Sequence, residues 1–265
     1  MCRWVAYSGQ PIFLGQLVAD PEHSLIHQSR NAEEAKVGIN GDGFGLGWYG
    51  ERDEPGLYRE TLPAWSDDNL RHIARQVRSR LFFAHVRAST GTATSRANCH
   101  PFAHGRWLFM HNGQIGGWSR LRRAVEARIP DALYACRTGT TDSEAMFLMT
   151  LGQGGEADPV GAMTGTLSAL RALMAEAGID EPLRVTAALS DGSRLYAFRY
   201  ASDGRPPSLY WRQTASAIEI VSEPVDRHRD EWHAVPDRSA LVCCARCACE
   251  VVPLAVLEPS RVEAA

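Results

Sequence analysis

The chain has 265 residues, of which 45% are hydrophobic and 22% charged, a balance that supports a sizeable buried core. Its formal net charge of −3 and pI near 6.3 leave no electrostatic case for nucleic acid or an anionic membrane surface as partner. No apolar run approaches the roughly 20 residues of a membrane span, and no basic segment followed by an apolar one opens the chain, so neither a span nor a secretory signal is expected.

In chain order, "GFGLGWYG" (43–50) and "PGLYRETL" (55–62) are strand-like. Leu70, Ile73, Ala74 and Val77 then fall at i, i+3, i+4 and i+7, one face of a helix. "SRLFFAHVRAS" (79–89) and "GRWLFMHNG" (105–113) read as strands, "GWSRLRRAVEARI" (117–129) and "TDSEAMFLMTLG" (141–152) as helices. Val160, Met163, Leu167, Leu170 and Met174 give a longer helix opened by Pro159. "RVTAALSDGSRLYAFRY" (184–200) predicts two strands joined by an Asp-Gly turn, and "PPSLYWRQTASAIEIVS" (206–222) a second pair. Strands in adjacent pairs predict antiparallel sheets covered by helices rather than a doubly wound parallel sheet. "GDGFGLG" is no dinucleotide fingerprint, because it runs into a strand where a phosphate-binding helix should begin. Gly43, Gly45 and Gly47 instead alternate, leaving one strand face bare for another layer or a ligand.

Several positions could carry chemistry. Cys2, once Met1 is removed, would hold a thiol and a free α-amine on one residue. The amine, with an unperturbed pKa of about 7.7–8.0, could act as base for a thiol of about 8.5. The plain alternative is a small residue that merely permits methionine removal. Arg87, at the end of an apolar strand, offers a planar fork for a carboxylate, with Ser89 and Thr90 as hydroxyl donors beside it. A surface ion pair would explain Arg87 as well, and His85, two residues earlier, reads as a hydrogen-bonded structural histidine. Asn112-Gly113 is a strong turn dipeptide, yet its amide and N–H could also converge on a developing oxyanion. His100 and His111 are candidate supports. Thr141 and Glu144 fit a helix capping box; Asp142 between them suits a helix N-terminus or a substrate ammonium.

The chain has seven cysteines, an odd number not spread like a disulfide framework, and this predicts a reduced, cytoplasmic protein. "VCCARCACE" (242–250) contains Cys244-x-x-Cys247, half of a zinc pattern. Four ligands within so short a run strain tetrahedral geometry, and a pair of small-residue strands around a turn is the expected structure.

Taken together and in order, Cys2, "HVRAST", "HNG" and "TDSE" resemble the glutaminase domain of class II glutamine amidotransferases, within the N-terminal nucleophile hydrolases. "NGDGFGLGWYG", "NCHPF" and "SEPVD" resemble its free-standing branch of glutathione-degrading and ergothioneine-pathway γ-glutamyl hydrolases. The resemblance spans residues 2 to about 256. It implies an α+β fold, a four-layer αββα sandwich of two antiparallel sheets, in a single domain over 2–265 with Met1 removed. It also implies that Cys2 is the nucleophile and that Asn112 and Gly113 form the oxyanion hole. Arg87 would bind the α-carboxylate of a small γ-glutamyl substrate and Asp142 its ammonium, with Thr90 and His111 as further substrate-binding residues. No cofactor or metal is called for. No acceptor domain follows the glutaminase-like part, so hydrolysis to glutamate is expected. The alternatives are a glutaminase subunit passing ammonia to a synthase partner, a non-catalytic ligand-binding domain, and a zinc protein using the late cysteines.

Overall fold

The computed structural model describes residues 2–34, 38–89, 91, 93–244 and 248–259. Met1, Thr90 and Cys247 lie outside the described residues. Among the described residues, one sheet has seven strands: β1 (Arg3–Phe13), β2 (Phe44–Trp48), β3 (Gly56–Glu60), β4 (Arg78–Val86), β9 (Tyr210–Gln213), β10 (Ala217–Val221) and β11 (His233–Ala234). The other has six: β5 (Phe102–His104), β6 (Trp107–Gln114), β7 (Arg184–Ser190), β8 (Arg194–Ala201), β12 (Ser239–Cys244) and β13 (Glu250–Pro253). Their orders are β11-β9-β10-β1-β4-β2-β3 and β13-β12-β8-β7-β6-β5. Every pairing is antiparallel. The helices are α1 (Gly15–Val18), α2 (Leu25–Arg30), α3 (Asp68–Gln76), α4 (Trp118–Glu126), α5 (Asp131–Tyr134), α6 (Asp142–Thr150) and α7 (Pro159–Glu176).

Strand alternation sorts these elements into four layers. Along β1, Val5 and Tyr7 face the core shared with Leu17, Leu25 and Leu70 of α1, α2 and α3. Trp4 and Ala6 point the other way, into the core between the sheets. β4 behaves alike, with Phe82 and Ala84 outward and Leu81 and Phe83 inward. On β6, Phe109 packs under α4, α6 and α7 while Leu108 and Met110 meet the first sheet. Both faces of the central strands are therefore apolar, and the period of 2 survives only as a choice of core. The result is the expected αββα sandwich.

The bare glycine face is filled by another layer. A Cβ on Gly45 would lie 2.1 Å from the His100 carbonyl oxygen, and one on Gly47 2.9 Å from Pro101 Cγ. The segment "NCHPF" thus lies flat on β2. Two local expectations are revised, and one strand was not expected. Asn112 and Gly113 do not turn; they continue β6, because the partner strand β7 runs alongside them. β1 carried no expectation, since Gly9 and Pro11 interrupt its apolar pattern and its pairing with β4 shifts register between Ser8 and Ile12. The second revision concerns the late cysteines. β12 and β13 pair as expected, but Cys243 and Cys249 close a disulfide across them with Cα atoms 4.4 Å apart. These two sulfurs are neither reduced nor available to zinc, because the strand register places them opposite each other just past Val242↔Glu250.

Gly45→Val should destabilise the protein by about 1–3 kcal/mol or more by overpacking against a main-chain carbonyl. Gly50→Ala, where an added Cβ meets nothing within 4 Å, should be near neutral; denaturant unfolding of both variants checks the difference.

Candidate active site

Antiparallel pairing decides which chain ends meet. The register Arg3↔Val86 sets the residue before β1 beside the residues after β4, so Cys2 lies against Ala88. Cys2 Sγ accepts the Ala88 N–H at 3.4 Å and lies 3.6 Å from the Ala88 carbonyl oxygen. Burial pushes the thiol pKa up; the Ala88 N–H and the nearby Arg87 and Arg3 cations oppose this without overcoming it. The resting thiol is therefore protonated at neutral pH.

Around it opens a cleft of about 250 Å³, lined among others by Cys2, Arg87, His100, His111, Gly113 and Asp142. The sandwich thus brings together most of the residues singled out in the sequence. Arg87 is buried, its guanidinium donating to Ser89 Oγ at 3.0 Å and to the Asp42 carbonyl at 3.3 Å, which fixes the fork at the cleft wall. Asp42 Oδ2 in turn accepts the Ser89 N–H at 2.7 Å. Asn112 is 2% exposed, and among the described residues its Nδ2 has no hydrogen-bond partner. A buried amide donor left open costs stability unless something else accepts from it. Its position shares the parity of Leu108 and Met110, which face the first sheet. At Gly113 a Cβ would sit 1.9 Å from the Arg184 carbonyl oxygen and 2.6 Å from His111 Nε2, so only glycine fits.

Asp142 opens α6, where Thr141 caps by accepting the Glu144 N–H at 3.1 Å. The capping box is only half formed. The Glu144 carboxylate turns instead to the N–H groups of Thr138 and Gly139, at 2.9 and 2.7 Å, and so ties down the loop beside the cleft. Asp142 itself accepts the Ile115 N–H at 3.0 Å and the Ser143 N–H at 2.9 Å. Its anion is supported by the helix N-terminus and borders the cleft without a cationic partner among the described residues. His111 is engaged at both nitrogens, Nδ1 2.9 Å from Ser143 Oγ and Nε2 3.4 Å from the Arg184 carbonyl. His85 and His100 stack with ring centroids 4.2 Å apart. Burial pulls His85 down to about 3 and lowers His100 and His111 as well, so all three are neutral at pH 7.

Sequence reasoning missed Ser143, which links His111 to Asp142 although it stands inside "TDSE", and the rim residues Trp118 and Glu181. It also missed the buried Arg3, which no periodicity marks.

A four-layer αββα sandwich with a thiol at the head of the first strand has the fold of the N-terminal nucleophile hydrolases. The family model for class II glutamine amidotransferases matches residues 18–210, a span that holds Arg87, Asn112, Gly113 and Asp142 but not Cys2. The chain is 34% identical to "Probable glutamine amidotransferase DUG3" of Saccharomyces cerevisiae, over 91% of this chain and 81% of that protein. It is 31% identical to "Gamma-glutamyl-hercynylcysteine sulfoxide hydrolase" of Mycolicibacterium smegmatis, over 90% and 93% of the two chains. A solved glutamine aminotransferase class-II domain protein from Silicibacter pomeroyi superposes with a TM-score of 0.76 at 39% identity, covering 96% of this chain and 99% of that one. The glutamine phosphoribosylpyrophosphate amidotransferase of B. subtilis shares the fold, with a TM-score of 0.64 at 12% identity over 97% of this chain and 50% of that chain. The chain belongs to the class II glutamine amidotransferases and is an enzyme of that type. Among the described residues no helix is long and apolar enough to cross a membrane.

The buried histidines make stability acid-sensitive. Each has a folded pKa depressed below its unfolded value near 6.5, so the unfolded chain binds more protons below that pH. The thermal midpoint should hold above about pH 6.5 and fall progressively toward pH 3, where His85 titrates in the folded state. Calorimetry across that range checks it.

Proposed function

We propose that the mature chain, running from residue 2 after Met1 is cleaved, is a γ-glutamyl amide hydrolase that uses Cys2 as nucleophile and releases glutamate. The observation that carries this reading is one cleft holding the Cys2 thiol, the Arg87 cation and the Asp142 anion together. A γ-glutamyl group ends in an α-carboxylate and an α-ammonium; Arg87 takes the first and Asp142 the second, which directs the γ-carbonyl toward the thiol. His111, held by Ser143, completes the glutamate pocket. The relative from M. smegmatis is named for hydrolysis of a γ-glutamyl compound, which supports the same class of substrate.

The chemistry then balances. The Cys2 α-amine takes the thiol proton and sulfur attacks the γ-carbonyl, while Asn112 Nδ2 and the Gly113 N–H receive the oxyanion. The ammonium returns its proton to the leaving nitrogen as the C–N bond breaks, leaving a γ-glutamyl thioester. Water, deprotonated by the same amine, attacks the thioester; the C–S bond breaks and the proton returns to sulfur. Arg87 supplies binding in both the ground and transition states, whereas the oxyanion donors act on the second alone.

Glutamate release from a panel of γ-glutamyl compounds, glutamine and glutathione among them, tests the reading. Cys2→Ser should abolish release. Asn112→Ala should lower kcat by about 10²–10³ with little change in KM, and Arg87→Ala should mainly raise KM. The intact mass of the active protein should lack Met1. An active protein that retains Met1 would refute the amine as base, and activity that appears only on adding a synthase subunit would make this chain an ammonia donor.

A further inference from the structure

Behind the nucleophile lies a charge pair that this chemistry does not use. Arg3 and Glu223 are each 0% exposed, and Arg3 Nε sits 2.9 Å from Glu223 Oε2. Arg3 shares the strand parity of Val5 and Tyr7, on the side of β1 away from the second sheet, and its Nη1 reaches back to donate to the Cys2 carbonyl oxygen at 3.2 Å. Glu223 is held in turn. Its Oε1 lies 2.6 Å from His23 Nε2 and accepts the Glu33 N–H at 3.0 Å, and its Oε2 accepts the Glu34 N–H at 3.1 Å. Burial pushes the Glu223 pKa up, but the His23 contact, the two N–H groups and Arg3 outweigh it and leave it lowered, so the group is anionic. The preceding residue, Ser222, clamps the same strand, accepting the Trp4 N–H at 2.9 Å through Oγ and donating its own N–H to the Trp4 carbonyl at 3.0 Å.

His23, Glu33 and Glu223 also bring donor atoms within 4.8 Å of one another, as a metal site would. Both Glu223 oxygens, however, already serve two partners each, and one of these is a cation. The carboxylate belongs to Arg3. Stability gives this pair little reason to exist, since well-packed apolar residues replace buried ion pairs at no loss in many proteins. Arg3 Nη2, moreover, is buried with no acceptor among the described residues. The bond to the Cys2 carbonyl is what an apolar residue could not supply.

We propose that Glu223, acting through Arg3, is a positioning device for the nucleophile: it locks the Cys2 main chain and thereby the directions in which thiol and amine point. This rests on Cys2 being the nucleophile. A terminal residue has one peptide bond and no neighbour before it; the Cys2–Arg3 amide is itself planar, but the amine and thiol swing about the Cys2 Cα–C bond, and the guanidinium on the carbonyl oxygen is what holds that end of the amide plane in place. A misplacement of about 1 Å at a reacting group costs on the order of 10²-fold in rate.

The test is the double variant Arg3→Met with Glu223→Gln, which removes both charges together and strands neither. It should unfold cooperatively, keep KM for a γ-glutamyl substrate within about threefold, and lose kcat on the order of 10²-fold. Arg3→Lys, which keeps the charge but not the planar fork, should retain part of kcat, about tenfold below the parent. A folded double variant with parental kcat overturns the proposal; if the double variant does not fold, parental kcat in Arg3→Lys overturns it. Cys2→Ser, assayed alongside, separates the two ideas. Activity without the thiol sinks the nucleophile itself, whereas an inactive Cys2→Ser beside fully active Arg3 and Glu223 variants sinks only the positioning role.

Discussion

The pairing of β1 with β4 is the constraint on which the site depends. Because the strands run antiparallel and pair Arg3 with Val86, the head of one and the tail of the other share one end of the sheet. Cys2 and Arg87, far apart in the chain, become neighbours without any loop having to reach. A slip of one residue would exchange the two faces of β1. In most half-buried strands that exchange exposes apolar groups and is prevented for that reason. Here both faces are apolar, with Trp4 and Ala6 toward one core and Val5 and Tyr7 toward the other, so hydrophobicity by itself pins the register weakly. The polar ties do more: Ser222 on the Trp4 main chain, and Glu223 on Arg3, fit one register alone.

The second sheet completes the cleft through packing. Leu108 and Met110 of β6 lie in the inter-sheet core with Leu81 and Phe83 of β4, and beyond that contact Gly113 reaches the cleft wall with Asn112 buried beside it. Close approach requires missing side chains, which is why Gly45 and Gly47 sit where the "NCHPF" segment crosses β2. The same crossing brings His100 to the cleft wall, stacked on His85. Glycines that look like a nucleotide loop in the sequence thus serve as spacers between layers.

Much of this was legible in the sequence, for identifiable reasons. Long periodic segments such as Pro159–Glu176 and paired strands such as 184–200 were read correctly, because period and turn chemistry agree there. Thr141 was read as a cap from spacing alone and is one. The errors occur where tertiary contacts override local signals. Asn112-Gly113 carries a hairpin signature, yet β7 pairs straight through it. Glu144 satisfies the capping-box spacing but spends its carboxylate on the neighbouring loop. The Cys243–Cys249 bond follows from strand register, which no count of cysteines reveals. Arg3 escaped notice because one charged residue at the start of a strand looks like a surface residue until the strand order places it at the centre of a sheet.

The electrostatics of the cleft narrow the choice of base. The thiol is raised by burial, so it does not ionise unaided at neutral pH. His100 and His111, the imidazoles that line the cleft, are lowered by burial, and His111 already spends both nitrogens on Ser143 and Arg184. Asp142 is committed to the Ile115 and Ser143 N–H groups, and on the proposed function it also holds the substrate ammonium, which leaves it ill placed to accept a proton. As the proposed nucleophile, a thiol in such surroundings needs a base of pKa near neutrality that arrives with it. On the proposed mechanism that base is its own α-amine, whose unperturbed pKa of about 7.7–8.0 is matched to the task. On that mechanism the imidazoles beside the thiol are uncharged or already engaged, so the proton taken by the amine stays where it can be returned to the leaving nitrogen.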